Sequence, residues 1–190
     1  MKLAAYTLSA SLIAGAAAAG GYTAPVVEAP VAPVVVEAAG TDWTGFYAGL
    51  QYGQGDLSAP GFASQDFDAF GVHAGYLRDF GRYVAGAELD YNNVEPDLAG
   101  AADGDLWRLR GRLGYDLGRF LPYVTLGLAR FEVANTSESG MTYGIGADYL
   151  VTDRISLGLE YSRSTFDDVT GATGVDADLD LVQIRGSYRF

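Results

Sequence analysis

Arginine occupies every second position in LWRLRGRLGY, residues 106–115: Arg108, Arg110 and Arg112. A guanidinium offers planar, forked donors that suit carboxylates, and the chain supplies Glu88, Asp90, Asp148 and Glu160 for it, with Arg185 as a further cation. Such a set does ion pairing, not proton transfer. The one histidine, His73, is the candidate for acid–base or metal chemistry. A lone histidine supports a metal site poorly, and the absence of cysteine removes thiolate chemistry and disulfides. His73 is expected to be an interior hydrogen-bonding residue, with no catalytic residue, no cofactor and no metal.

The elements that carry these residues follow from the spacing. Side chains of a strand alternate faces with period two, so the arginines share one face, and Trp107, Leu109, Leu113 and Tyr115 fall on the other. Seven further segments alternate in the same way, giving eight at about 44–53, 67–78, 83–91, 106–115, 122–131, 142–150, 155–163 and 179–190. Most are near the ~9 to 11 residues that a tilted strand needs to cross a bilayer. Tight turns at 79–82, 116–120 and 151–154 alternate with longer links around 54–66, 92–105, 134–141 and 165–178. This asymmetry fits an antiparallel membrane barrel.

The faces decide between water and lipid. One collects Phe46, Leu50, Tyr52, Val72, Tyr76, Leu89, Ile145, Leu157, Leu159, Val182 and Ile184, with tyrosines near the strand ends. The other collects Gln51, His73, Glu88, Asp90, the three arginines, Asp148, Glu160, Gln183 and Arg185, with glycines between. Arginine on a lipid-facing wall costs ~2 to 4 kcal/mol at the midplane, so the ladder faces inward. In water the apolar set would expose far more than the few hundred Å² that a soluble monomer tolerates. The fold class is therefore all-β, an eight-stranded antiparallel up-and-down transmembrane β-barrel. The fifth strand is ambiguous, with Val124, Leu126 and Leu128 on one face and Tyr123, Thr125 and Gly127 on the other.

Ahead of the barrel, residues 1–19 read as a secretory signal peptide: Lys2, a short apolar run, then Ala17-Ala18-Ala19. Residues 20–41, with Pro25, Pro30 and Pro33, read as a Pro/Ala/Val-rich periplasmic linker, and 42–190 as the barrel. The net charge is -12, and losing Lys2, the single lysine, takes it to about -13. Phosphate backbones would repel such a chain, so no nucleic-acid partner is expected.

The tail VQIRGSYRF, with Tyr188 and terminal Phe190, resembles the C-terminal signal by which outer-membrane barrels are recognised for assembly. TGFYAGLQYG, AGAELDY, PYVTLGLA and GIGADYLVTDRISLGLEYS resemble the strands of small eight-stranded barrels of the OmpA/OmpX and opacity-porin group, especially alphaproteobacterial surface antigens. The resemblance covers about 42–190. It implies a cell outer membrane location and, as partners, the barrel-assembly machinery, outer-membrane lipid and lipopolysaccharide. The group includes structural proteins, adhesins and proposed pores. No peptidoglycan-binding domain is expected after the barrel, a departure from full-length OmpA. Lipid A deacylases are also small barrels, using histidine and serine, but the register puts His73 inside, away from lipid.

The links hold most of the remaining acid: Asp56, Asp66, Asp68, Glu95, Asp97, Asp103, Asp105, Glu138, Asp167, Asp168, Asp176, Asp178 and Asp180. A weak calcium site at Asp176, Asp178 and Asp180 is one reading and a solvated acidic surface the other; the second is preferred. The expectation is a non-enzymatic barrel with an envelope-integrity role, whose acidic loops meet an extracellular partner in adhesion or as a surface antigen. Arg108, Arg110 and Arg112 are expected to pair across the lumen with carboxylates such as Glu88 and Glu160 and to block it. The alternatives are a narrow small-solute porin and a lipid A-modifying enzyme.

Overall fold

The computed structural model describes residues 41–58, 61, 64–98, 100, 102–133, 136–166 and 177–190. The proposed signal peptide and most of the linker, and Asp167, Asp168 and Asp176, lie outside them. Eight strands form one closed antiparallel barrel: β1 Gly45–Ser58, β2 Gln65–Asp79, β3 Tyr83–Pro96, β4 Gly104–Tyr115, β5 Phe120–Val133, β6 Thr136–Leu150, β7 Ile155–Phe166 and β8 Ala177–Arg189. Each pairs with its chain neighbours, and β1 closes on β8 from Tyr47↔Arg189 to Ser58↔Asp178.

The turns at one end are built by their sequences. DFGR and DLGR place glycine at positive φ, Gly81 at 95° and Gly118 at 78°, where a side chain would be strained. The aspartate two residues earlier accepts from the glycine N–H in each: Gly81 N donates to Asp79 Oδ1 and Gly118 N to Asp116 Oδ1, both at 2.7 Å.

At the other end the strands outrun the hydropathy pattern. β6 starts at Thr136 and pairs with β5 out to Val133↔Thr136, so residues 136–141 of the expected long link belong to the strand instead. Alternation marks a strand only where its two faces meet different surroundings. Beyond the membrane both faces of TSES are wet, and the backbone ladder continues without a hydropathy signal.

The outer wall carries the expected apolar set, and strand five resolves: Val124, Leu126 and Leu128 are 50 to 63% exposed to the outside, whereas Tyr123 and Thr125 are buried inward. Aromatic residues ring both rims. Phe46–Tyr76, Tyr83–Tyr115 and Tyr188–Phe190 stack at the turn end with centroids 4.8, 5.5 and 5.3 Å apart, and Tyr91–Trp107 at the loop end at 4.8 Å.

Candidate functional site

The lumen is the place where the charged residues converge. Glu88 from β3 and Glu160 from β7 are each bound by both Arg110 from β4 and Arg185 from β8. Arg110 donates to Glu160 Oε1 at 2.5 Å and to Glu88 Oε1 at 2.6 Å; Arg185 donates to Glu160 Oε2 at 2.5 Å and to Glu88 Oε2. The four side chains make a closed cycle with almost no solvent exposure. Tyr47 and Tyr123 hydroxyls donate to Glu88 Oε2 (2.7 Å) and Glu160 Oε2 (3.0 Å), the oxygens that Arg185 also binds.

Toward the loop end, Arg108 donates to Asp90 Oδ1, Ser162 Oγ and Gln183 Oε1, each at 2.7 Å. Gln183 and Gln51 both donate to Asn92 Oδ1, at 2.7 and 2.8 Å, and Asn92 donates to Asp90. Toward the turn end, Arg112 pairs with Asp148 and lies over the Tyr123 ring, 3.5 Å from its centroid. Of the ladder's three arginines, Arg110 takes Glu88 and Glu160, Arg108 takes Asp90, and Arg112 takes Asp148, reaching Glu88 at 3.6 Å. Arg185 is the second bridge. Four arginines face four carboxylates, so the belt is balanced.

Glycine makes the crossing contacts possible. A Cβ on Gly75 would lie 2.6 Å from Tyr47 Oη, and one on Gly146 would lie 2.5 Å from Tyr123 Oη. His73 likewise reaches across β1 at Gly49, where a Cβ would stand 2.6 Å from Nε2, to place Nε2 2.8 Å from Ser187 Oγ on β8. That is the spacing of a base and a nucleophile. Both residues are buried in the lumen, however, and Nδ1 of His73 has no hydrogen-bond partner among the described residues, so nothing orients the ring as a third triad member would. Ser187 shares its face with Arg185 and was missed; its parity was readable, its meeting with His73 across an intervening strand was not.

The lumen is not polar throughout, contrary to the simplest reading of the inward face. At the loop end Phe67, Val94, Leu106, Ala129, Phe166, Leu179 and Leu181 turn inward and form a buried apolar cap. At the turn end Trp43, Tyr47, Leu77, Val84, Leu121 and Leu150 form a second. Trp43 is held there by the chain itself: its Nε1 donates to Gly118 O at 3.0 Å, its N–H to Asp79 Oδ2 at 3.2 Å, and the Arg189 guanidinium stacks 4.9 Å from its ring centroid. Arg189 also donates to Asp42 O at 2.8 Å. Hydrogen bonds from Thr44 hold the Asp42 carboxyl below its usual range.

On the outside at the loop end, three rim tyrosines each donate to an aspartate of the adjacent strand: Tyr52 to Asp68 at 2.8 Å, Tyr91 to Asp105 at 2.6 Å and Tyr161 to Asp180 at 2.5 Å. Asp180 is also chelated by Arg163, which ties up one of the supposed calcium ligands. No cluster of potential metal ligands occurs among the described residues.

Residues 7–190 match the model of the outer membrane protein beta-barrel domain. The chain belongs to that family. A 22 kDa outer membrane protein of Rhizobium leguminosarum bv. viciae is 34% identical over 85% of this chain and 76% of the relative. A 25 kDa outer-membrane immunogenic protein of Brucella canis is 31% identical over 94% of this chain and 92% of its own length. Among solved structures, Neisserial surface protein A matches with a TM-score of 0.56 at 19% identity, covering 77% of this chain and 98% of that one. Ail of Yersinia pestis matches with a TM-score of 0.54 at 13% identity, covering 76% and 99%. The family places the barrel in the outer membrane, and its eight strands, closure and lipid-facing wall are those of an outer-membrane barrel.

Proposed function

We propose that this outer-membrane barrel is a closed, non-enzymatic element of the envelope that displays its acidic loop end at the cell surface. The carrying observation is the triple seal of the lumen: an apolar cap, a balanced belt of buried ion pairs and a second apolar cap. Eight strands leave an interior that side chains just fill, and here they fill it with groups that satisfy one another. A conducting pore would need charges that face water, whereas the belt arginines and carboxylates are almost fully buried. The loop end outside the cell follows from the short turns at the opposite end, and the naming of the Brucella relatives as immunogenic supports exposed loops. Tyr188 and Phe190, stacked on each other at the β8 terminus, are proposed as the signal read by the assembly machinery. Planar-bilayer recording on the refolded protein tests the closed lumen. Absence of steady current is expected, and large ion-selective currents would replace this reading with that of a small-solute pore.

A further inference from the structure

The lipid-facing wall is not evenly filled. From Tyr83 on β3 to Val182 on β8 it sinks into an apolar groove of about 840 Å³. Its floor is Pro122 and Ala147, small residues paired in register, while Val124 and Ile145 above and Leu159 beside them stand proud. Tyr83 and Tyr115, partners in register, line its edge nearest the turn-end rim.

An arginine lies in each of the two turns next to that edge. Arg82 lies immediately before Tyr83, and its carbonyl accepts from Asp116 N at 3.0 Å; Arg119 lies in the next turn, and its carbonyl accepts from Leu150 N at 2.9 Å. Both side chains are exposed. Among the described residues Arg82 has no carboxylate partner, and Arg119 has a loose one, Asp153, at 3.7 Å. Asp79 and Asp116 beside them turn back to cap the glycine N–H groups of their own turns. At the loop end the pattern is opposite: Arg130 and Arg163 are already bound to Glu132 and Asp180, and the rim tyrosines point at carboxylates. Anionic headgroups are therefore favoured at the turn end and repelled at the other.

We propose that this groove seats one anionic phospholipid of the leaflet at the turn end. Arg82 and Arg119 take its phosphate, and one acyl chain lies along Pro122 and Ala147. On the topology proposed above that leaflet is the periplasmic one, but the seat can be tested without reference to cell orientation.

The full chain is refolded into nanodiscs of phosphatidylcholine with a minor fraction of phosphatidylglycerol. Lipid that stays bound after transfer to detergent is then weighed by native mass spectrometry. Wild type should retain one phosphatidylglycerol, enriched roughly tenfold over its fraction in the disc. Arg82→Gln with Arg119→Gln should abolish the enrichment. Ala147→Phe, which fills the floor from the lipid side, should reduce retention of either lipid; heat-modifiable gel mobility reports whether each variant is folded. Arg78→Gln with Arg154→Gln, elsewhere on the same rim, should leave the enrichment intact. Equal loss in that control pair, or full enrichment in Arg82→Gln/Arg119→Gln, would overturn the seat. So would efficient disulfide dimerisation of a Val124→Cys variant in the bilayer, which would give the groove to a second copy of the chain.

Discussion

Removing one arginine from the central cycle is the sharpest probe of the lumen. Arg110 holds Glu160 at 2.5 Å, Glu88 at 2.6 Å and Asp90 at 3.0 Å, all out of contact with solvent. Arg110→Ala leaves four carboxylates facing three arginines. Breaking one side of a buried pair costs about 3 to 5 kcal/mol, because the remaining charge is left uncompensated. With a denaturant slope of about 2 kcal/mol per molar, the midpoint of urea unfolding in a bilayer or micelle should fall by roughly 2 M. Adding Glu160→Gln restores the balance of charge, so the double variant should be less damaged than the two single losses predict, by roughly 1 to 3 kcal/mol. Arg163→Ala is the comparison: its partner Asp180 is at the rim and the pair is partly exposed, so the change should stay within about 1 kcal/mol. A midpoint for Arg110→Ala as close to wild type as that of Arg163→Ala would refute the account of the belt as a tightly coupled, water-free network.

Four further outcomes are expected. Deleting Phe190 removes half of the Tyr188–Phe190 stack and should leave protein in the periplasm or degraded, as scored by membrane fractionation. Trp43→Ala opens the cap at the turn end but leaves the belt and the loop-end cap in place, so it should lower the urea midpoint without bringing conducting events in bilayer recordings. Gly49→Val puts a side chain where His73 crosses and should destabilise the barrel by more than about 1 kcal/mol in the same urea assay, whereas Gly111→Val, on the lipid side with an ordinary 3.6 Å contact to Leu126 O, should not. An epitope inserted at Gly100 or Gly171 should bind antibody on intact cells, while one near Pro30 should bind after the outer membrane is permeabilised; the reverse would invert the topology.

Much of the barrel was legible because the membrane imposes one rule on every residue it touches. The parity that set Arg108, Arg110 and Arg112 inward also ordered Glu88, Asp148 and Glu160, and the turns at Asp79 and Asp116 declared themselves by their glycines. The apolar caps were legible in principle: Leu106 has the parity of Arg108, Leu181 that of Gln183, and Leu150 that of Asp148. The partners of each arginine were not. Glu160 meets Arg110 from three strands away, a contact set by the curvature and stagger of the closed wall and by no spacing along the chain. The reach of β5 and β6 past the membrane escaped for the opposite reason, since in water the ladder no longer writes itself into hydropathy.

The four members of the central cycle come from β3, β4, β7 and β8, two hairpin-sized halves on opposite sides of the wall. A half-built sheet holding β3 and β4 has Glu88 beside Arg110 but nothing for Glu160 or Arg185, and the complementary half has the reverse problem. Inside a bilayer, each would carry charge satisfied on one side alone. The intermediate states of assembly are thus penalised by the same residues that reward the finished cylinder, so the β1–β8 seam is driven shut by contacts across the lumen as well as by its own backbone ladder. Folding of this chain should be all-or-none, with little population of open sheets between the unfolded and the closed forms.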